Sequence, residues 1–204
     1  MKQWDALADD VTIAKTIDAL KENGIDASVV ATGAEVKKKV LSLTPEGAEV
    51  MTMSSVTLDT IGLTQEINGS NKYQPVRDKL YSMNRDTERV AMLKLGAAPE
   101  WTVGSVHAVT QDGHILIASN TGSQLPAYVY GSAHVIWVVG TQKIVATIEE
   151  GMKRIYEYTL PLESARAHKA YGVAGSAVNK LLIINKEVIP GRLTVIFVKE
   201  KLGF

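Results

Sequence analysis

The stretch Gly104–Gly140, GSVHAVTQDGHILIASNTGSQLPAYVYGSAHVIWVVG, decides how the rest of the chain is read. It holds three strand-like runs. In the first, His107, Val109 and Gln111 alternate with Val106, Ala108 and Thr110, a period near two. Asp112-Gly113 then separates that run from HILIAS, His114 to Ser119, and predicts a tight hairpin whose two central residues both take positive φ. The third run, AHVIWVV, is apolar enough to be a strand buried on both faces. Between the second and third lies NTGSQLPAY. Ser119, Asn120, Thr121, Ser123 and Gln124 offer donors and acceptors there, and Gly122 lets the backbone approach a ligand closely. Open α/β sheets bind ligands where loops leave strand ends, so a binding loop and a plain polar crossover are equally good readings of it.

Towards the N-terminus the pattern alternates between helix and strand. Asp9 or Asp10 caps a helix carrying Ile13, Ile17 and Leu20, which Gly24 stops. IDASVVAT follows as a strand, and Thr32-Gly33 opens a helix through AEVKKKVLSL, ended by Pro45 and Gly47. Its Lys37, Lys38 and Lys39 fan around a solvated side. AEVMTM is a second strand, and the β-α-β spacing predicts a parallel sheet. That strand runs into Ser54-Ser55 and VTLDTIGL; the serines are read as a helix cap, with anion binding as the alternative. Further on, Pro75 suits the first turn of a helix, and Asp86 is read as the cap of another with Val90, Leu93 and Leu95 on its buried face. Of Arg77, Arg85 and Arg89, Arg85 is singled out as the anion-binding candidate because it precedes a helix start.

Towards the C-terminus, Thr147 caps a helix through IEEGMKRIYEYT. LPLESARAHKAYGVAGSAVNK reads as irregular, and KLLIINKEVIPGRLTVIFVKE as two strands joined near Pro190-Gly191. No internal repeat is present. The whole chain is expected to be a single domain, with residues 1–9 a flexible arm.

Lys and Arg total 22, balancing 22 Asp and Glu, so no general electrostatic grip on nucleic acid or anionic membrane is expected. Cysteine is absent, which removes disulfides, thiolate metal sites, cysteine nucleophiles and iron–sulfur clusters held by this chain's own thiolates. The start MKQWDALADD lacks the basic-then-apolar pattern of a signal peptide, and no apolar run reaches the roughly 20 residues that span a bilayer. A cytoplasmic protein is the expectation. Phosphate-loop, HExxH, EF-hand, GxSxG and GxGxxG patterns are all missing. His107, His114, His134 and His168 show no zinc spacing and read as hydrogen-bonded or exposed residues, with His134 the candidate for a general base. No residue pair commits the chain to acid–base or covalent chemistry, and whether it is an enzyme stays open.

MSSVTLDTIGL, the Gly104–Gly140 stretch running on through TQKIV, and the closing LTVIF together resemble the LUD domain of bacterial lactate-utilisation proteins, most of all the small, cluster-free LutC/YkgG-type subunit. The resemblance spans the chain from about Asp10 to the end. It implies an α/β fold like the NagB/RpiA/CoA-transferase group: a mostly parallel central sheet flanked by helices on both faces, with an antiparallel hairpin and ligands at strand C-termini. The family's recurrent positions fall on Ser54, Ser55, Thr57, Gly62 and Gly113, on Asn120, Thr121 and Gly122, and on Lys143, Ile144 and Val145. Where the family usually has an acidic residue and a threonine before the hairpin glycine, this chain has Gln111 and Asp112, with Asp112 able to stand in one position along.

The candidate ligand-binding set is therefore Ser54, Ser55, Thr57, Arg85, Asp112, Gly113, Asn120, Thr121, Gly122, Ser123 and Lys143. The resemblance implies a subunit of a complex that oxidises L-lactate to pyruvate. Iron–sulfur clusters are expected only in partner subunits, with no cofactor or metal on this chain, and a homo-oligomer is compatible with it. The alternative is a stand-alone enzyme or sensor taking a small organic anion, CoA ester or sugar phosphate. It requires a hollow where the Ser54-Ser55 turn meets the Asn120–Gly122 loop.

Overall fold

The computed structural model describes residues 3–204. In chain order the elements are α1 (Asp10–Glu22), β1 (Asp26–Val30), α2 (Gly33–Leu43), β2 (Glu49–Thr52), α3 (Val56–Thr60), α4 (Leu63–Gly69), β3 (Gln74–Pro75), α5 (Val76–Ser82) and α6 (Arg89–Ala97). Then come β4 (Trp101–Gly104), β5 (Ala108–Thr110), β6 (Ile115–Ser119), β7 (His134–Gly140), β8 (Ile144–Val145), α7 (Ile148–Arg154), α8 (Leu160–Tyr171), β9 (Lys180–Ile184) and β10 (Leu193–Val198). Asp9, Thr32, Ser55 and Thr147 cap α1, α2, α3 and α7 through side-chain oxygens, as their sequence positions require.

Six strands form an all-parallel sheet in the order β1-β10-β7-β4-β2-β3. Both faces of β7 are buried, and its side chains divide by parity. Val135, Trp137 and Val139 enter one core with Leu20, Val195 and Phe197, whereas Ile136 and Val138 enter another with Val36, Val40, Leu58, Leu63 and Ile67. Helices α2, α3 and α4 thus cover one face. The other is covered by α1 and by a second, four-stranded mixed sheet ordered β8-β5-β6-β9. That second sheet turns Val109, Ile115 and Ile117 towards Trp137 and presents Ala108, Leu116 and Ala118 to Ile155 and Met152 on its outer side. Gly151 lets α7 approach: a Cβ there would lie 2.8 Å from a Leu116 methyl.

Several expectations are corrected. In the hairpin only Gly113 has positive φ, at +84°. Gly113 N–H donates to Thr110 O at 2.9 Å and Thr110 N–H to His114 O at 2.9 Å, so the loop is a three-residue turn ending in a left-handed glycine rather than a two-residue one. The helix expected from Asp86 starts at Arg89 without a side-chain cap, and Val90 and Leu93 are exposed (66% and 62%) rather than buried. Segment 160–171, read as irregular, is helical. It continues α7 through a wide π-helical turn, Ile155–Thr159, and Pro161 follows directly on that turn at the start of α8. The two closing strands are both present as expected, β9 at the edge of the second sheet and β10 inside the first. Within residues 1–9, Trp4 packs on the outer core and Asp5 pairs with Lys201, while residues 1 and 2 lie outside the described part. No helix among the described residues is long and apolar enough to cross a membrane.

Candidate functional site

The chain crosses between the two sheets at two neighbouring places. From β4 it passes through Ser105, Val106 and His107 into β5, and from β7 through the tight turn Thr141–Lys143 into β8. β5 and β8 then pair in parallel, which holds the two crossovers side by side at the C-terminal edge of the large sheet. Lys143 ends the second crossover and is turned inward, only 2% exposed. Its Nζ donates at 3.1 Å to each of Thr57 Oγ1, Ser105 Oγ and Val106 O. All three are neutral oxygens.

Arg154, at the end of α7, is fully buried beside it. Its Nη1 donates to His107 O at 2.6 Å and to Thr159 Oγ1 at 3.1 Å, while Nε and Nη2 find no hydrogen-bond partner among the described residues. The guanidinium lies 5.2 Å from the centre of the Tyr158 ring. Two buried cations therefore grip successive carbonyls, Val106 and His107, and no carboxylate among the described residues forms an ion pair with either.

Burial, and after it the charge of Arg154, brings the Lys143 ammonium down to about 7, and burial brings Arg154 to about 10. His107 is driven down to about 3 by burial, then by Lys143 and Arg154. Its Nδ1 accepts the Ala118 N–H at 3.1 Å, which suits a neutral ring. A buried lysine that can lose its proton near neutrality is equipped to hold an anion or to act as an amine base or nucleophile.

The rim of this region comes from β2 and α5. Arg77 Nε donates to Thr52 O at 2.9 Å and Nη2 to Ser54 Oγ at 3.1 Å, and Ser54 is exposed. Tyr128 is buried, with its hydroxyl over the end of β4. A Cβ on Gly104 would lie 1.9 Å from that oxygen, so only glycine fits. Burial raises the Tyr128 hydroxyl, and the charge of Arg77 acts on it in the opposite direction.

The sequence-derived candidates divide into three groups. Thr57 and Lys143 meet directly, with Ser55 capping the same turn (Leu58 N to Ser55 Oγ, 3.4 Å) and Ser54 on Arg77. Asn120, Thr121, Gly122 and Ser123 form a self-contained loop. Gly122 N–H donates to Ser119 Oγ at 2.8 Å, Thr121 Oγ1 to Ser123 Oγ at 3.1 Å, and Asn179 Nδ2 to Asn120 Oδ1 at 2.7 Å beside β9. No hydrogen bond among the described residues joins that loop to the serine turn. Asp112 and Gly113 dock on the end of α1, where Asn23 Nδ2 donates to both carbonyls (3.1 and 3.2 Å) and Asp112 accepts from His114 Nδ1 at 3.0 Å. Arg85 is exposed ahead of α6 and bonds to none of them. His134 stacks on Trp101, ring centres 4.1 Å apart.

Sequence reasoning passed over Ser105 and Arg154 and preferred Arg85 to Arg77. Nothing in the local pattern marks Arg154, which follows a lysine on an amphipathic helix. Two shallow surface hollows, of about 310 and 220 Å³, lie elsewhere: one lined by Lys37, Gly62 and Glu66, the other by Lys21, Gly24 and Glu187. The lysine chemistry is not in either. No cluster of three or more metal-ligating side chains occurs among the described residues.

The LUD domain family model matches residues 13–198. Among solved structures the chain is similar to a DUF162 family protein from Deinococcus radiodurans, with 16% identity and a TM-score of 0.57 over 95% of this chain and 99% of that one, a likeness of fold. No match was found among curated proteins.

Proposed function

The chain belongs to the LUD domain family, which is associated in general with lactate utilisation, and from that premise we propose that it is the cluster-free subunit of a lactate-utilisation system, holding L-lactate or pyruvate at the C-terminal edge of the large sheet. One observation carries the reading: Lys143 is buried with three neutral oxygen partners and no counter-ion among the described residues. A small carboxylate beneath Ser105 supplies the missing negative charge, and Arg77 with Ser54 steers it in from the exposed rim. Lacking thiolates, the chain leaves electron transfer to iron–sulfur partner subunits, and a cytoplasmic location goes with that role.

Thermal-shift and calorimetric titration with L-lactate, pyruvate and acetate test the site. Stabilisation by lactate or pyruvate that Arg77→Ala weakens about tenfold supports it, consistent with the loss of one charge-assisted contact. Co-purification with cysteine-rich proteins encoded by adjacent genes tests the subunit role. Turnover of lactate by the isolated chain overturns that role.

A second reading, a stand-alone enzyme or sensor of a CoA ester or sugar phosphate, loses the junction it requires, since neither hollow lies where the Ser54-Ser55 turn would meet the Asn120–Gly122 loop; it keeps only the Arg77–Ser54 pair, whose fork suits a phosphate as well as a carboxylate. A larger thermal shift with CoA or a sugar phosphate than with lactate favours it.

A further inference from the structure

We propose that Lys143 is a nucleophilic amine that condenses with the carbonyl carbon of a small 2-oxo acid, with Arg154 as the positioning residue that keeps the amine free. The proposal rests on the carboxylate site above and narrows its ligand from organic anions in general to those with an adjacent carbonyl.

The geometry has four parts. The amine is out of water yet directly under Ser105, a residue that solvent partly reaches. Every partner of Nζ among the described residues is a neutral oxygen, so hydrogen bonds hold the proton on but no carboxylate does. A second buried cation, Arg154, grips the next carbonyl along the same crossover and opposes a positive charge on the lysine. The remaining titratable neighbour, His107, accepts an N–H and so adds no negative charge. Asp5 and Tyr158 act on Arg154 rather than on the lysine. Free amine is the nucleophilic form, and with the ammonium brought to about 7, Lys143 holds on the order of a thousandfold more of it at neutral pH than an exposed lysine does.

The step balances without an oxidant or reductant. The nitrogen lone pair forms a C–N bond to the carbonyl carbon, and the carbonyl oxygen takes up a proton as the carbinolamine hydroxyl. Loss of the second nitrogen proton then accompanies departure of that oxygen as water, leaving C=N. Thr57 Oγ1 and Ser105 Oγ, each 3.1 Å from Nζ, are placed to pass those protons. Arg77 is available for the carboxylate of the same molecule.

The test is reductive trapping. The full chain is incubated with pyruvate and sodium cyanoborohydride at neutral pH, and adducts are located by peptide mass spectrometry. The expected result is an N-(1-carboxyethyl) amine adduct on Lys143, at least about tenfold above any exposed lysine, absent in Lys143→Met, reduced in Arg154→Met and competed away by excess L-lactate, which binds but has no ketone. Ser105→Ala, which keeps the lysine, provides a second variant whose trapping rate falls if that hydroxyl relays protons. Pyruvate that stabilises the protein without leaving an adduct on Lys143 overturns the imine and leaves the carboxylate site standing. No stabilisation by lactate or pyruvate, together with adducts spread evenly over exposed lysines, overturns both.

Discussion

Replacing Lys143 by methionine gives the sharpest test of the electrostatics, because it removes the titrating group and nearly keeps the volume. In the unfolded chain the lysine holds its proton up to its ordinary value of 10.5, whereas burial and Arg154 bring it to about 7 in the folded protein. Between those values the unfolded state binds more protons than the folded one, so stability rises with pH. The contribution is fully present above 10.5 and is lost progressively as pH falls to about 7. The slope is 2.303RT, about 1.4 kcal/mol per pH unit for one proton, and the whole interval amounts to about 5 kcal/mol. That is comparable to the net stability of an ordinary domain. Lys143→Met carries none of this slope. It does lose the amine's hydrogen bonds, each about 1 kcal/mol, but that offset is nearly constant with pH. Urea unfolding followed by the fluorescence of buried Trp137, from about pH 7 to about pH 9.5 at fixed ionic strength, should show the wild type gaining on the variant by about 3 kcal/mol. A stability difference that stays flat over that range refutes the reasoning.

His107, held down to about 3, must take up a proton on unfolding below its ordinary 6.5, so the protein loses stability as pH falls through that window, and His107→Gln should shift the acid-unfolding midpoint to lower pH. Arg192→Ala removes a nearly buried guanidinium that meets Glu187 at 2.6 Å, Ser132 O at 3.1 Å and Tyr128 O at 2.9 Å; a loss of about 3–5 kcal/mol is expected in chemical denaturation. Gly104→Ala drives a methyl into the Tyr128 hydroxyl and should cost about 1–3 kcal/mol, part of it recovered in the double variant with Tyr128→Phe.

The stretch that carried the sequence reading kept its elements and changed its meaning. Its hairpin and its apolar strand are all present, but the hairpin belongs to the second sheet and the strand to the first. Local alternation records which residues are buried. It carries no information about which sheet receives a strand, because both faces of β6 and β7 are covered and each reads as an unbroken apolar run. The polar loop after β6 looked like half of a site, yet its hydroxyls and amide are spent on one another and on Asn179. Arg85 illustrates the converse: a helix start is visible in sequence, whereas the partner that makes an arginine useful is not. Arg77 has that partner in Ser54, 23 residues away.

What the sequence determined by itself is the set of local elements that short-range physics encodes. These are the capped helices behind Asp9, Thr32, Ser55 and Thr147, the parallel α/β class, and Thr57 and Lys143 as members of the site through the family resemblance. Only the tertiary structure decided that Lys143 is an uncompensated buried amine. That property depends on Thr57, Ser105 and Arg154, which lie far apart along the chain and are brought together by two crossovers between stacked sheets. Charge, desolvation and proton affinity are set by what surrounds a group in space, and a one-dimensional pattern does not contain that neighbourhood.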